Sequence, residues 1–248
     1  MDNMEFDIGK YLRSIGLDFP KDEEELLRFN EIHKDYPCTA NEDKIDPTKI
    51  LQDIKQESQK ETKPSRVDYH KRIVLAAEIV SQLPQDSSLG HLKLQKLIFL
   101  CQNALGMNLS TNFLQQRMGP FDPQFMRSID SQFKKREWFE YQQNDFPKYK
   151  PLEKQGGHKE WFNIYFADQK DSIHLIIQKF KSFKTYQIEL VATLYACWLN
   201  AVKQGIEIED NKLIERFYEW HESKSKFPEK DILKAIEWMK GNSIYPMT

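Results

Sequence analysis

Two histidines one helical turn apart, with a glutamate beside the first, would bind zinc, because both imidazoles then reach one ion. His221-Glu222-Ser223-Lys224 opens in that way, but Lys224 and Ser225 stand where the second ligand would have to be. The six histidines, His33, His70, His91, His158, His174 and His221, show no ligand spacing. Magnesium-dependent nucleases hold their ion with an Asp and an E-x-K whose lysine orients or activates water. E-x-K occurs at Glu42–Lys44, Glu61–Lys63 and Glu222–Lys224, and a chain with 21 Glu and 28 Lys in 248 positions produces about that many by chance. A G-x-S-x-G elbow, a Walker lysine loop and a G-x-G-x-x-G turn are all absent. The expectation is a protein without catalytic residues, metal ligands or a cofactor.

Binding surfaces are the other way residue types do work. Lys134, Lys135 and Arg136 with Trp138, or Lys179, Lys181 and Lys184, could form a basic-aromatic face for DNA, although three bases in a row also suit a solvated helix end. Gly119-Pro120-Phe121-Asp122-Pro123 is more specific, since two prolines and a capping Asp fix a rigid turn ahead of a helix. One reading plugs Phe121 into the core at a stiff corner; the other has the corner present Gly119, Pro120, Phe121 and Asp122 to a partner. Trp220, His221 and Lys224 form a second candidate contact, with Trp220 alternatively a core residue.

These residues need elements to hold them. Ile73, Ala76, Ala77, Val80 and Leu83 recur at helical spacing up to Pro84, and Leu94, Leu97, Ile98, Cys101 and Leu105 do so up to Gly106. Asp122-Pro123 reads as an N-cap and first helical residue, opening a helix that turns Phe125, Ile129 and Phe133 inward. Short aromatic runs at Trp138–Tyr141 and Tyr149–Leu152 predict a small β-hairpin near 138–152, and Ile173, Ile176, Ile177 and Phe180 mark another helix. Residues 185–203 are apolar nearly all round, with a narrow polar stripe of Glu189, Thr193 and Asn200, so this helix should be the enclosed centre. Two more helices follow, around Leu213 to Trp220 and from Pro228, read as the first helical residue, to Lys240, with Gly241 as the stop. The fold expected is mainly α, a helical bundle around the central helix.

Ahead of that body, Gln56 to Ser65 carries no apolar side chain and reads as a linker. Three short helical stripes within residues 1–55 are too sparse for a core and should dock on the body or on a partner. The domain plan is an acidic helical arm (1–55), a polar linker (56–66) and a helical module (67–248). Residues 1–66 hold 16 acids and 11 bases, and the rest 22 and 25, so the arm side is net −5 and the body +3. A total of −2 argues against a chain-wide nucleic-acid coat. Three cysteines without a C-x-x-C, no leader pattern and no long apolar run point to the cytoplasm, with no membrane contact.

Lys93-Leu94-Gln95-Lys96-Leu97-Ile98-Phe99-Leu100 followed by Gly119-Pro120 resembles the KLQKLLYL…GP core of the Panacea antitoxin domain. A fuller set is similar to a related module found at the C-terminus of type I restriction-modification subunits, notably specificity subunits. Its elements here are G-P-F-D-P with Arg127-Ser128-Ile129, Lys135-Arg136-Glu137-Trp138-Phe139, Lys150-Pro151-Leu152 and Phe180-Lys181-Ser182-Phe183. Val191 to Tyr195, Trp220-His221-Glu222-Ser223-Lys224 and Ala235 to Met239 complete it, and the likeness spans about 67–246. The resemblance implies a helical module of prokaryotic toxin–antitoxin and phage-defence systems that acts by protein–protein contact, with no catalytic residues. Its partner would be a toxin or a restriction-system subunit, and DNA would be reached indirectly. An antitoxin is one expectation, and a DNA-associated accessory subunit of a restriction-modification complex is the other. The acidic arm stands where a specificity subunit carries its target-recognition domains, which favours the antitoxin.

Overall fold

The computed structural model describes residues 66–84, 86, 88–142 and 148–246. The expectations for the arm and for most of the linker lie outside these residues. Eight α-helices and two small antiparallel sheets are present among the described residues. The protein is mainly α.

The first helices form where the apolar stripes run. Helix α1 (Arg66–Gln82) buries Ile73, Ala76, Ala77 and Val80 and stops just before Pro84, whose ring cannot continue a helix. Helix α2 (His91–Ala104) ends ahead of Gly106, which takes φ +62°. It buries every residue from His91 to Cys101, so Lys93, Gln95 and Lys96 are as enclosed as the leucines between them. Helix α3 (Pro123–Lys135) is capped as expected, with the Asp122 carboxylate accepting from the Phe125 amide at 2.9 Å. Lys134 and Lys135 occupy its last turn, where the carbonyl end of the helix dipole favours cations.

Two hairpins interrupt the helices. Strands β1 (Leu114–Gln116) and β2 (Gly119–Phe121) pair with Gln116 opposite Gly119, around a two-residue turn of Arg117 and Met118. This hairpin was not expected; the sequence suggested a bare corner, because three-residue strands are too short to show an alternating pattern. The expected hairpin is present as β3 (Phe139–Gln142) and β4 (Lys148–Pro151), with Tyr141 opposite Tyr149.

Helices α4 (Lys159–Tyr165) and α5 (Lys170–Phe180) lead to α6 (Thr185–Lys203), whose bounds match the expected central helix. Helix α6 packs on α2, on β2, and on α7 (Asp210–Glu219) and α8 (Glu229–Gly241). Its polar stripe is not solvated as a whole: Asn200 is exposed, but Glu189 and Thr193 are buried. Pro228 is the N-cap of α8 rather than its first residue, and α8 runs through Gly241 before Asn242 ends it. No helix among the described residues is long and apolar enough to cross a membrane.

Candidate functional site

The fold brings the Gly119–Asp122 corner and the Trp220–Lys224 segment together, although about a hundred residues separate them. The segment clamps the hairpin from behind. The Trp220 indole N–H donates to the Gln116 carbonyl at 2.7 Å, and the Gln115 side-chain amide donates to the Trp220 carbonyl at 2.7 Å. Ser223 Oγ reaches the Arg117 carbonyl at 3.4 Å. His221 turns inward on its own segment, its Nδ1 accepting from the Ser223 amide at 3.1 Å and capping the short 3-10 helix Glu222–Lys226.

Beneath the hairpin lies a polar centre built from α2 and α6. Lys96 is fully buried and its Nζ donates to the Pro120 carbonyl. Gln95 Oε1 accepts from the Asp122 amide at 2.8 Å. The Asp122 carboxylate, besides capping α3, accepts from the Asn112 amide at 3.0 Å. Lys224 is buried too and meets Glu189 Oε1 at 2.7 Å, while Lys226 reaches Glu189 Oε2 at 3.0 Å. Burial pulls Lys96 well below the usual 10.5, helped by the neighbouring Lys224 and opposed by Glu189. Burial lowers Lys224 as well, but there the Glu189 carboxylate pushes back.

Gly119 is the tightest point of the centre. Its φ is +87°, and a Cβ there would stand 2.5 Å from Thr193 Oγ1 and 3.4 Å from Lys96 Nζ. Only glycine combines that dihedral with that clearance.

Of the seven candidate contact residues, Gly119, Pro120, Asp122, Trp220 and Lys224 are buried, and Phe121 and His221 are partly exposed. The two readings of the corner therefore exchange roles. Pro120, not Phe121, is the residue plugged inward, and Phe121 sits half-buried at the rim. Trp220 is a core residue and a clamp. Lys224 is bonded to Glu189, so Glu222–Lys224 is not an E-x-K unit facing one ion.

Lys93 extends the same design to the far side of α2. It meets Asp86 at 2.6 Å and donates to the Phe183 carbonyl, tying the loop before α6 to the end of α1. Burial lowers its pKa, and Asp86 counters that pull.

A second buried group was invisible to spacing. His158 Nε2 donates to Glu78 Oε2 at 3.0 Å and His174 Nε2 to Glu78 Oε1 at 2.7 Å, linking α1, the loop before α4, and α5. Burial alone would raise the Glu78 carboxyl, but hydrogen bonds from His158, Gln82 and His174 prevail and hold it at about 2. Ser81 Oγ lies 3.4 Å from His158, giving a Ser–His–Glu grouping. It cannot act as a hydrolytic triad, because serine and carboxylate both meet Nε2 whereas a triad uses the two ring nitrogens separately. The imidazoles bond to different oxygens of one carboxylate and form a clasp, and no cluster able to hold a metal ion occurs among the described residues. His91 and Asp130 meet at 2.7 Å, with Tyr149 donating to Asp130 at 3.0 Å and Tyr141 stacked on His91.

Compared with family models, with curated proteins and with solved structures, the chain has no match.

Proposed function

We propose that this chain is a non-enzymatic protein–protein interaction module of a prokaryotic toxin–antitoxin or defence system, an antitoxin that neutralises a cognate partner by direct binding. One observation supports the reading above others. Gln95, Lys96, Gly119, Pro120 and Lys224 come from three distant stretches that carry the family resemblance, and they converge on one buried scaffold. Their reactive groups end on internal carbonyls, amides and a carboxylate. A catalytic lysine or carboxylate must instead reach a substrate within hydrogen-bond distance. Chemistry spent inward in this way holds a surface in shape, and what remains for function is the surface.

The test is co-expression of the full chain with the product of the adjoining gene. The expected result is a product that arrests growth alone, is tolerated together with this chain, and co-purifies with it. A product that is harmless alone and does not co-purify overturns the proposal. A gel-shift series with the full chain at low and moderate salt addresses the accessory-subunit alternative, since phosphate-driven binding weakens steeply with salt. Salt-sensitive DNA retention without a protein partner would transfer the assignment to that alternative.

A further inference from the structure

The geometry points to Arg117, at the turn of the β1–β2 hairpin, as the anchor that enters an acidic socket on the protein partner. This rests on the binding-module reading and adds the chemistry of the contact. The backbone around the turn is held at four points. The Gln116 carbonyl is bonded to Trp220, the Arg117 carbonyl to Ser223, the Pro120 carbonyl to Lys96 and the Asp122 amide to Gln95, and the Gln115 side chain adds a bond to Trp220. Gly119 is wedged between Thr193 and Lys96. The backbone of Arg117 is therefore set before any partner arrives, which leaves only its side chain to be ordered on association.

The other cations of the corner are spent. Lys96 is on a carbonyl, and Lys224 and Lys226 share Glu189. Arg117 is exposed, and its guanidinium has no hydrogen-bond or ion-pair partner among the described residues. A planar, permanently charged fork on a fixed turn is matched by a carboxylate, which accepts two parallel N–H bonds. Leu114, 38% exposed, and the half-buried Met118 and Phe121 add an apolar rim. Arginine beside apolar contacts is a frequent composition of binding hot spots. A net charge of −2 over the whole chain disfavours a run of phosphates, so a single carboxylate on a protein is favoured over nucleic acid.

The experiment uses the full chain and the purified product of the adjoining gene, with affinity measured by calorimetry. Arg117→Glu is expected to weaken binding at least tenfold, and Arg117→Lys to lose part of the affinity because a point charge cannot make the paired bonds. Both should keep the wild-type melting temperature, since the guanidinium supports nothing inside the fold. Lys234→Glu, an equal charge change on an exposed face of α8, should leave binding unchanged. Wild-type affinity in Arg117→Glu overturns this inference while leaving the binding-module reading intact. No binding by the wild-type chain overturns both. DNA retention by the wild-type chain that is lost in Arg117→Glu would assign the arginine to phosphate and also overturn the inference.

Discussion

Replacing Gly119 with alanine should be among the most damaging single-methyl changes this protein can suffer. Two costs add. At φ +87° an alanine lies in the left-handed region, which costs about 1–2 kcal/mol. Its Cβ would also stand 2.5 Å from Thr193 Oγ1 on α6, and forcing a methyl into such a packed position costs about 1–3 kcal/mol. Alanine narrows the unfolded ensemble, which offsets about 0.4–1 kcal/mol. The net expectation is a loss of about 1–4.5 kcal/mol, centred near 3. Urea unfolding of the full chain, followed by tryptophan fluorescence, reads this directly, because Trp220 clamps the affected hairpin. With m of about 3 kcal/mol/M, the midpoint should fall by roughly 1 M. Two further variants separate the costs. Gly106→Ala has a comparable φ of +62° but nothing within 4 Å of its Cβ, so it should show the dihedral cost alone. Thr193→Ala removes the clashing oxygen, and Gly119→Ala/Thr193→Ala should recover about 1–2 kcal/mol relative to the sum of the single changes. A Gly119→Ala loss no larger than that of Gly106→Ala, or no coupling to Thr193, would refute the reasoning.

Three other outcomes follow from the buried charges. Glu189→Gln leaves Lys224 buried without its carboxylate and should cost about 3–5 kcal/mol in urea unfolding, most of it recovered in Glu189→Gln/Lys224→Met. Glu78 ionises near 2 in the fold against an ordinary 4.5, so its stabilisation is complete above about pH 4.5 and fades as the pH falls toward 2. Stability curves of the wild type and Glu78→Gln should therefore draw together by on the order of 3 kcal/mol as the pH falls through that window. Burial holds the Lys96 pKa well below 10.5, so as the pH rises toward 10.5 the native chain gives up this proton before the unfolded chain does, and stability rises with pH there. Lys96→Met should flatten that rise just below pH 10.5, and an unchanged slope in thermal melts would contradict the burial of this amine.

The class of fold and the span of most body helices were determined by the sequence alone. Apolar residues at helical spacing must face a common interior whatever surrounds them, and Pro84, Gly106 and Asp122-Pro123 act on their own backbone. The same local logic placed the hairpin near 138–152, and it placed α6 at the centre because a helix apolar nearly all round has nowhere else to go. Only the tertiary structure decided what the polar residues do. Glu189 and Thr193 carried a faint signal, since a polar pair one turn apart on an enclosed helix must have partners. Nothing in the sequence named the partners of Glu189 as Lys224 and Lys226, or set Thr193, whose hydroxyl donates to the Glu189 carbonyl, against Gly119. Spacing likewise could not join Glu78 to His158 and His174, eighty and more residues away, nor show Lys93, Gln95 and Lys96 bonded inside. Periodicity reports on burial through an averaged hydrophobic effect that reads along the chain. A hydrogen bond or ion pair depends on ångström-scale distances between groups far apart in sequence, and those distances exist only once the helices have packed.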